Sequence, residues 1–588
     1  MRNPDEFTAD KPMARHDAGH LSVFIAVCAI AGIALLAPEV ALAQPVVDEP
    51  AEDEVDPFAP NNRSGFLGYS LSVSPQLTYS DNVTLAPEGS ESEDGLASVE
   101  FTGGLLIDRV NFTGIVNGRL EVGSYLDPAS ENGQELYDHF IVDQNIRSAA
   151  TAEFVDNLLY LDLAASTERR ALDERSQFSQ QSIAANERQA TSYSYSVSPY
   201  LRTEFSNRST VAARYRFIDV KIDDEDAAQG VDNFLNDSQS QEVVAEYTSG
   251  RLLDRLSFSL RAYAAQTQEQ GSDVLPEVDF DQNAYSGSVR YPLSRKLSAV
   301  GTIGYDDIDT NNNPAFDDDE LSGVFWKAGL LATPGRRTRA QLEVGERYGG
   351  TLIEGAAEYI YSSRLRFRAN LSRNFNTSAQ LQNAQQDILQ GETLAFSEDL
   401  RRLQNLTASD VLDQTLNFNS DLQDLTQRRS GLARSNTADF AVVANAGQND
   451  FTLRVGYDDA DFGFQETETI SLNGAWNRRL SRKLDAYARG SYQYTTANGG
   501  DSLVDCLAAL ATDPATAGLP DATLTQLCQD TSILDTDTQT LSVLGGFGYR
   551  VYQDISAFIQ YGHTNRSADS ATLEFKENAI TIGLTFDF

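Results

Sequence analysis

Ile580-Thr581-Ile582-Gly583-Leu584-Thr585-Phe586-Asp587-Phe588 closes the chain. The alternation is unbroken. Ile580, Ile582, Leu584, Phe586 and Phe588 fall on one side, and Thr581, Gly583, Thr585 and Asp587 on the other. Successive side chains of a β-strand point to opposite faces, so a period of two over this stretch specifies a strand with one apolar and one wet surface. The last residue is an aromatic on the apolar side.

The other end of the chain gives the compartment. Arg2, Lys11 and Arg15 precede an apolar stretch from Leu21 to Ala37, followed by Ala41-Leu42-Ala43, an A-x-A cleavage pattern. Residues 1–43 therefore read as a signal peptide, with Gln44 as the mature start. A retained membrane anchor is the alternative, and Pro38 with the small-residue exit argues for cleavage. Cys28 lies inside the apolar stretch with more of it following, which argues against lipid attachment. No later segment approaches the ~20 apolar residues of a spanning helix. Export without a second anchor leaves periplasm, outer membrane or secretion. In that setting the terminal strand resembles the insertion signal of bacterial outer-membrane β-barrels, carried by Ile582, Leu584, Phe586 and Phe588. The resemblance implies the outer membrane of a Gram-negative bacterium. Its surroundings would be outer-membrane lipid and lipopolysaccharide, and the barrel-assembly machinery would be a partner.

Composition agrees. Tyr (24) and Phe (29) are plentiful although mean hydropathy is -0.36, which suits a lipid-facing band around a wet lumen. A formal net charge of -41 excludes a general nucleic-acid binder. Residues 44–65 are acidic and proline-bearing (Asp48, Glu49, Glu52, Asp53, Glu54, Asp56) and read as a flexible periplasmic tail. Beyond them no linker divides the chain, although a soluble chain of 588 residues would hold several domains.

From there the two-residue period recurs. Tyr69, Leu71, Val73, Pro75, Leu77 and Tyr79 alternate with Ser70, Ser72, Ser74, Gln76 and Thr78, and similar runs follow at 193–202 and 451–457. Short links fall at Asp108-Arg109, 155–157, 206–208, Gly250-Arg251, 294–296, 334–337, 362–364, 447–450, 478–483 and 552–554. Longer, mostly acidic links lie between them. Short periplasmic turns with longer outer loops are the asymmetry of outer-membrane barrels. The pattern predicts an all-β fold: a transmembrane antiparallel β-barrel over 66–588 of about 22 strands (18–22), with both ends in the periplasm. A soluble β-sandwich or repeat array is the alternative that strand number and aromatic ends argue against.

Two loops stand apart. Over 376–433, Leu381, Ile388, Leu389, Leu394, Leu400, Leu403 and Leu406 have helix-like spacing. By strand parity this helical insert is extracellular, where it caps the mouth, or it folds back into the lumen as a constriction. The loop 497–536 carries Cys506 and Cys528. In an oxidising compartment these form one disulfide, with two unpaired thiols as the alternative. They lack C-x-x-C spacing, so a redox pair is not expected.

Catalytic chemistry finds little purchase. Only His139 and His563 remain in the mature chain, and neither neighbours a G-x-S-x-G nucleophile signature. H-E-x-x-H and Cys/His metal spacings are missing, so no enzyme activity, cofactor or metal site is expected. The runs Asp306-Asp307-Ile308-Asp309 and Asp317 to Glu320 read as solvated loops, with Ca²⁺ binding or bridging to lipopolysaccharide as lesser readings. With the apolar face outward, Arg119, Arg202, Arg214, Arg216, Arg261, Arg290, Arg366, Arg368, Arg454 and Arg489 point into the lumen. Glu121, Glu204, Glu343 and Asp485 share that side. Charged rings of this kind set pore selectivity, or pair with one another simply to fill a polar interior.

Ser72-Val73-Ser74-Pro75-Gln76-Leu77-Thr78-Tyr79-Ser80-Asp81-Asn82-Val83, a first strand running into a Tyr-x-Asp-Asn loop, resembles the opening of a family of large outer-membrane barrels. These barrel porins accompany exopolysaccharide systems and include the PEP-CTERM/exosortase-associated outer-membrane proteins. The resemblance implies a pore or exit component for polysaccharide or envelope material, with polysaccharide-export proteins as partners. A general diffusion porin for small solutes and a structural or adhesive surface barrel are the alternatives. Only about 20 mature residues precede the first strand, too few for a plug domain of the TonB-dependent type.

Overall fold

The computed structural model describes residues 66–588 apart from 110, 128–129, 132–133, 136–139, 172–188, 207, 224–234, 251–254, 271–276, 312–315, 363, 378–379, 381–431, 464, 500–535 and 570–572. The expected signal peptide (1–43) and acidic tail (44–65), His139, Cys506 and Cys528 lie outside the described residues.

The wall begins with β1 (Phe66–Ser80), β2 (Asp94–Arg109), β3 (Phe112–Tyr125), β4 (Phe140–Val155), β5 (Leu159–Ala171), β6 (Gln189–Glu204) and β7 (Thr210–Asp223). It continues through β8 (Ser238–Thr248), β9 (Ser257–Glu269), β10 (Val278–Pro292), β11 (Leu297–Asp309), β12 (Gly323–Gly335), β13 (Thr338–Arg347) and β14 (Gly350–Ser362). β15 (Leu365–Thr377), β16 (Leu432–Ala446), β17 (Asn449–Asp461), β18 (Gln465–Arg479), β19 (Leu484–Gly499), β20 (Thr536–Arg550), β21 (Ile555–Ala568) and β22 (Phe575–Asp587) complete it. Each strand pairs antiparallel with its sequence neighbour, and β22 returns to β1 to close a 22-stranded barrel. At the seam Val73 faces Phe586, Leu77 faces Ile582 and Tyr79 faces Ile580, and the Phe588 amide donates to the Leu71 carbonyl at 2.9 Å. Closure removes the unpaired edges that an open sheet would expose to hydrocarbon, where each lone backbone dipole is costly.

The two faces of the closing strand follow its sequence. Ile580, Ile582, Leu584 and Phe588 are exposed, whereas Glu577, Ala579 and Thr581 on the other face are buried. The same division holds around the wall: Leu71, Leu260, Tyr285, Ile303, Leu342 and Val543 face outward, with serine, threonine and charged residues inside. An apolar exterior on a closed antiparallel barrel is the form in which strands cross a bilayer. The protein is an outer-membrane β-barrel of a Gram-negative envelope; the short-turn end of its strands is called periplasmic after the asymmetry of such barrels.

All ten short links of the sequence reading fall where consecutive strands turn at that end. Three features of the outer end depart from it. Asp306 to Asp309 belong to β11 rather than to a loop, because the ladder with β10 runs to Asp309. Asp317 caps the four-residue helix α1 (Asp318–Leu321), accepting from the Asp319 amide at 3.0 Å. Tyr348 and Gly349 form a two-residue turn between β13 and β14, with φ of 54° and 68°, where the alternation of links calls for a longer loop. Around the insert, Asn376-Thr377 still belong to β15 and Leu432-Ala433 already begin β16. The remainder, 381–431, lies outside the described residues, but its root carries a helix-start signature. The Thr377 amide donates to Gln380 Oε1 (3.1 Å) and the Gln380 amide donates to Thr377 Oγ1 (3.4 Å), the reciprocal pair of a capping box.

Candidate functional site

Two regions of the interior gather charged and aromatic side chains: the inner wall and the extracellular mouth. On the wall, strand alternation puts all ten arginines of the sequence reading on the face opposite the exposed apolar residues. The ladder then decides which of them meet carboxylates.

Arg119 on β3 reaches Asp143 on β4 at 2.5 Å, with Glu100 and Glu121 at 3.7 and 3.9 Å. Glu121 is further held by Gln76 (2.8 Å) and Ser98 (2.6 Å), so a buried carboxylate on β3 collects donors from β1, β2 and β3. Arg214 on β7 meets Asp162 on β5 at 2.9 Å, two strands away, and lies over the Tyr200 ring at 4.4 Å. Tyr200 in turn stacks on Tyr160, with centroids 4.9 Å apart. A flat guanidinium over an aromatic face gains from the ring quadrupole and keeps its edge free to meet a carboxylate. Arg216 lies 3.7 Å from Glu242, Arg366 and Arg368 lie 3.8 and 3.7 Å from Glu358, and Arg454 lies 3.3 Å from Asp439.

Arg202, Arg261, Arg290 and Arg489 are exposed on this inner face, and Arg261 stands opposite Glu246 in the β8–β9 ladder. They occupy the periplasmic halves of β6, β9, β10 and β19. The inner-face acids Glu121, Asp143, Glu269, Asp306, Asp458 and Glu577 occupy the extracellular halves of their strands. The balance of charge therefore shifts along the wall: acids gather in the extracellular halves, while in the periplasmic halves arginines stand among Asp162, Glu246, Glu358 and Asp450. Of the other acids that share this side, Glu204 and Asp485 lie near the periplasmic ends of β6 and β19, and Glu343 near the middle of β13. Glu343 and Glu354 both approach Lys327.

The mouth is built around the short turn. The Tyr348 side chain is buried with Val278, Phe280, Ile308, Leu321, Phe375 and Leu432. Its hydroxyl accepts from Gln282 Nε2 at 3.2 Å, and burial pushes its pKa up to about 12. Arg347 beside it makes a two-pronged pair with the buried Asp306 (2.7 and 2.8 Å) and lies between the rings of Phe325 (4.3 Å) and Tyr348 (4.5 Å). None of these residues except Asp306 and Ile308 was singled out in the sequence. The available signal was Tyr348-Gly349-Gly350, a tight-turn composition at the end where longer links are the rule.

The Tyr-x-Asp-Asn stretch proves to be part of the closing seam. The Asp81 carboxylate accepts the main-chain and side-chain amides of Asn578, and buried Asn82 donates to the carbonyls of Ala86 (2.8 Å) and Lys576 (2.9 Å). His563, also on β21 near this seam, faces Asn578 Oδ1 at 2.9 Å.

No known family model matches the chain, and no curated protein is similar to it. Among solved structures, the siderophore receptor PirA from Acinetobacter baumannii is 8% identical, covering 89% of this chain and 80% of that one at a TM-score of 0.42. The FrpB iron transporter from Neisseria meningitidis is 9% identical, covering 91% and 83% at 0.43. The ferric-catecholate import receptor Fiu from E. coli K12 is 10% identical, covering 90% and 82% at 0.42. Likeness at this level adds nothing to what the strand ladder itself establishes.

Proposed function

We propose that this outer-membrane barrel is a conduit for anionic envelope material, with acidic polysaccharide as the cargo class, moving from the periplasm outward. The observation that carries the reading is the shift of charge balance along the inner wall, with its acids gathered toward the extracellular end and exposed arginines in the periplasmic half. Arg202, Arg261, Arg290 and Arg489 offer exposed guanidiniums in the periplasmic half, where a polyanion enters. Guanidinium groups recognise carboxylate and phosphate oxygens with paired, directional hydrogen bonds. The acidic extracellular half repels the same polymer, so it does not lodge at the exit. The resemblance of the β1 opening to barrels of exopolysaccharide systems points the same way, with polysaccharide-export proteins as the partners on the periplasmic side.

The test is electrical. Purified barrel in a planar bilayer under a salt gradient gives a reversal potential of anion-preferring sign. Arg202→Glu, Arg261→Glu and Arg489→Glu together shift it toward cations. Block of the current by an acidic oligosaccharide added on the periplasmic side, and not by its neutral counterpart, supports the cargo class. Equal, size-limited flux of neutral and acidic sugars favours a general diffusion porin instead. Unchanged flux with lost surface binding after removal of 376–433 favours an adhesive surface barrel.

A further inference from the structure

Not all neighbouring strands stay paired to their tops. Along β15, odd-numbered residues face outward: Phe367 stacks on Tyr359, which abuts the exposed Tyr361. Phe375 has the same parity, yet it is fully buried and stands edge-on to Phe280 with centroids 5.5 Å apart. Phe280 lies on the inner face of β10, opposite in parity to the exposed Tyr285 and Val289. Four strands, β11 to β14, separate β10 from β15 around the barrel, which at ~4.8 Å per strand amounts to roughly 24 Å along the wall. The two rings touch above the short β13–β14 hairpin, where β15 has parted from β14 while β15–β16 and β16–β17 remain paired to their tops.

The backbone records the departure. β14 and β15 pair only as far as Gly355 and Leu371, so Gly350 to Glu354 find no ladder partner on β15. An arginine takes over part of that role. Arg373 Nη1 donates to the Thr351 carbonyl at 3.1 Å and Nη2 to the Tyr348 carbonyl at 3.4 Å. Arg434 on β16 adds a second donor to the Tyr348 carbonyl at 3.4 Å and pairs with Asp461 at 2.7 Å. The arginine packs close over Gly350, where a Cβ would stand 2.6 Å from Arg373 Nη2.

We infer that this tip, residues 372–377 and 432–436, is the constriction of the conduit, with Phe375, Arg373 and Arg434 as its specificity-determining residues. The inference rests on the transport reading and names where that path selects by size. Phe375 anchors the tip by apolar contact with Phe280, Phe316 and Tyr348. The two arginines fix its height by hydrogen bonds to backbone carbonyls, which do not depend on the identity of neighbouring side chains. The arrangement narrows the mouth by strands held on the rigid wall, and its width changes only if the Phe375 anchor or the arginine struts let go.

Two readouts on the full chain test it. In planar bilayers, Phe375→Ala and the double variant Arg373→Ala/Arg434→Ala raise unit conductance about twofold, as widening a narrowest point does. Arg373→Lys, which keeps the charge but loses the forked reach, gives an intermediate rise and guards against a general folding defect. Independently of current, a thiol placed below the tip on the inner face by Ser259→Cys is labelled from outside with maleimides of increasing size. The size limit rises in the tip variants, with the same chain lacking Ser259→Cys as background. An identical size limit in the parent and in every folded tip variant overturns the constriction. Labelling that shifts while no variant or parent carries current upholds the constriction and overturns the transport reading instead.

Discussion

Both amide groups of Asn578, main-chain and side-chain, donate to the carboxylate of Asp81 (2.7 and 2.8 Å) across 497 residues of chain. Together with Asn82, which ties Ala86 to Lys576, this clasp sits where the first strand meets the last. A barrel has no free edge only while that seam holds, so the clasp belongs to closure itself.

Asn82→Ala leaves the Lys576 carbonyl and the Ala86 amide without their buried partner, at a cost of about 1–3 kcal/mol. Asp81→Ala costs less, because Asp81 is exposed and water replaces it. The temperature at which the folded, fast-migrating gel band converts to the unfolded one falls in both variants, further for Asn82→Ala.

Ile582 and Thr581 are neighbours with opposite fates. Ile582→Arg places a guanidinium on the exposed apolar face, at a cost of about 2–4 kcal/mol if it lies near the bilayer midplane. Thr581→Val removes a hydroxyl pair with Thr78 at 2.9 Å and a longer contact from Gln560 Nε2 at 3.5 Å, about 1 kcal/mol. Urea unfolding from lipid vesicles ranks the two; equal losses would contradict the assignment of faces.

Gly329 and Gly548 separate close approach from mere flexibility. A Cβ at Gly329 would stand 1.9 Å from the Leu342 carbonyl oxygen and 2.7 Å from the Glu343 Cα, both backbone, whereas Gly548 has nothing within 4 Å. Gly329→Ala therefore disrupts the β12–β13 ladder and lowers the yield of folded barrel, while Gly548→Ala assembles normally.

The anion preference assigned to the inner wall weakens with salt. Screening shortens the reach of exposed charge from about 10 Å at 0.1 M to about 3 Å at 1 M. Reversal potentials under equal concentration ratios move toward zero selectivity as mean salt rises. Arg119, fixed against Asp143 at 2.5 Å, contributes little to this, so Arg119→Met lowers stability more than it changes selectivity.

Tyr348 gives the mouth an alkaline limit. Burial raises its hydroxyl from 10.0 to about 12, so the folded state holds the neutral phenol. Its contribution is fully present below pH 10 and is lost as pH rises through 12. Between those values the parent loses thermal stability more steeply than Tyr348→Phe, which has no proton to lose.

The class of object was legible from residue order alone. A period of two that ends on Phe588 and short links alternating with longer acidic ones follow from local rules, since side-chain direction in a strand depends only on parity. The same parity placed Arg202 and Arg261 on the inner face. Which arginine meets which carboxylate was not legible: Arg214 finds Asp162 two strands away, and that depends on ladder register and side-chain reach. The mouth was hidden for a stronger reason. Parity says which side of its strand Phe375 takes, but whether the strand stays paired with β14 depends on its partner's length. Only the short β13–β14 hairpin, capped by Tyr348 and Gly349, lets Phe375 reach Phe280. That is a relation among strands, and tertiary structure alone decides it.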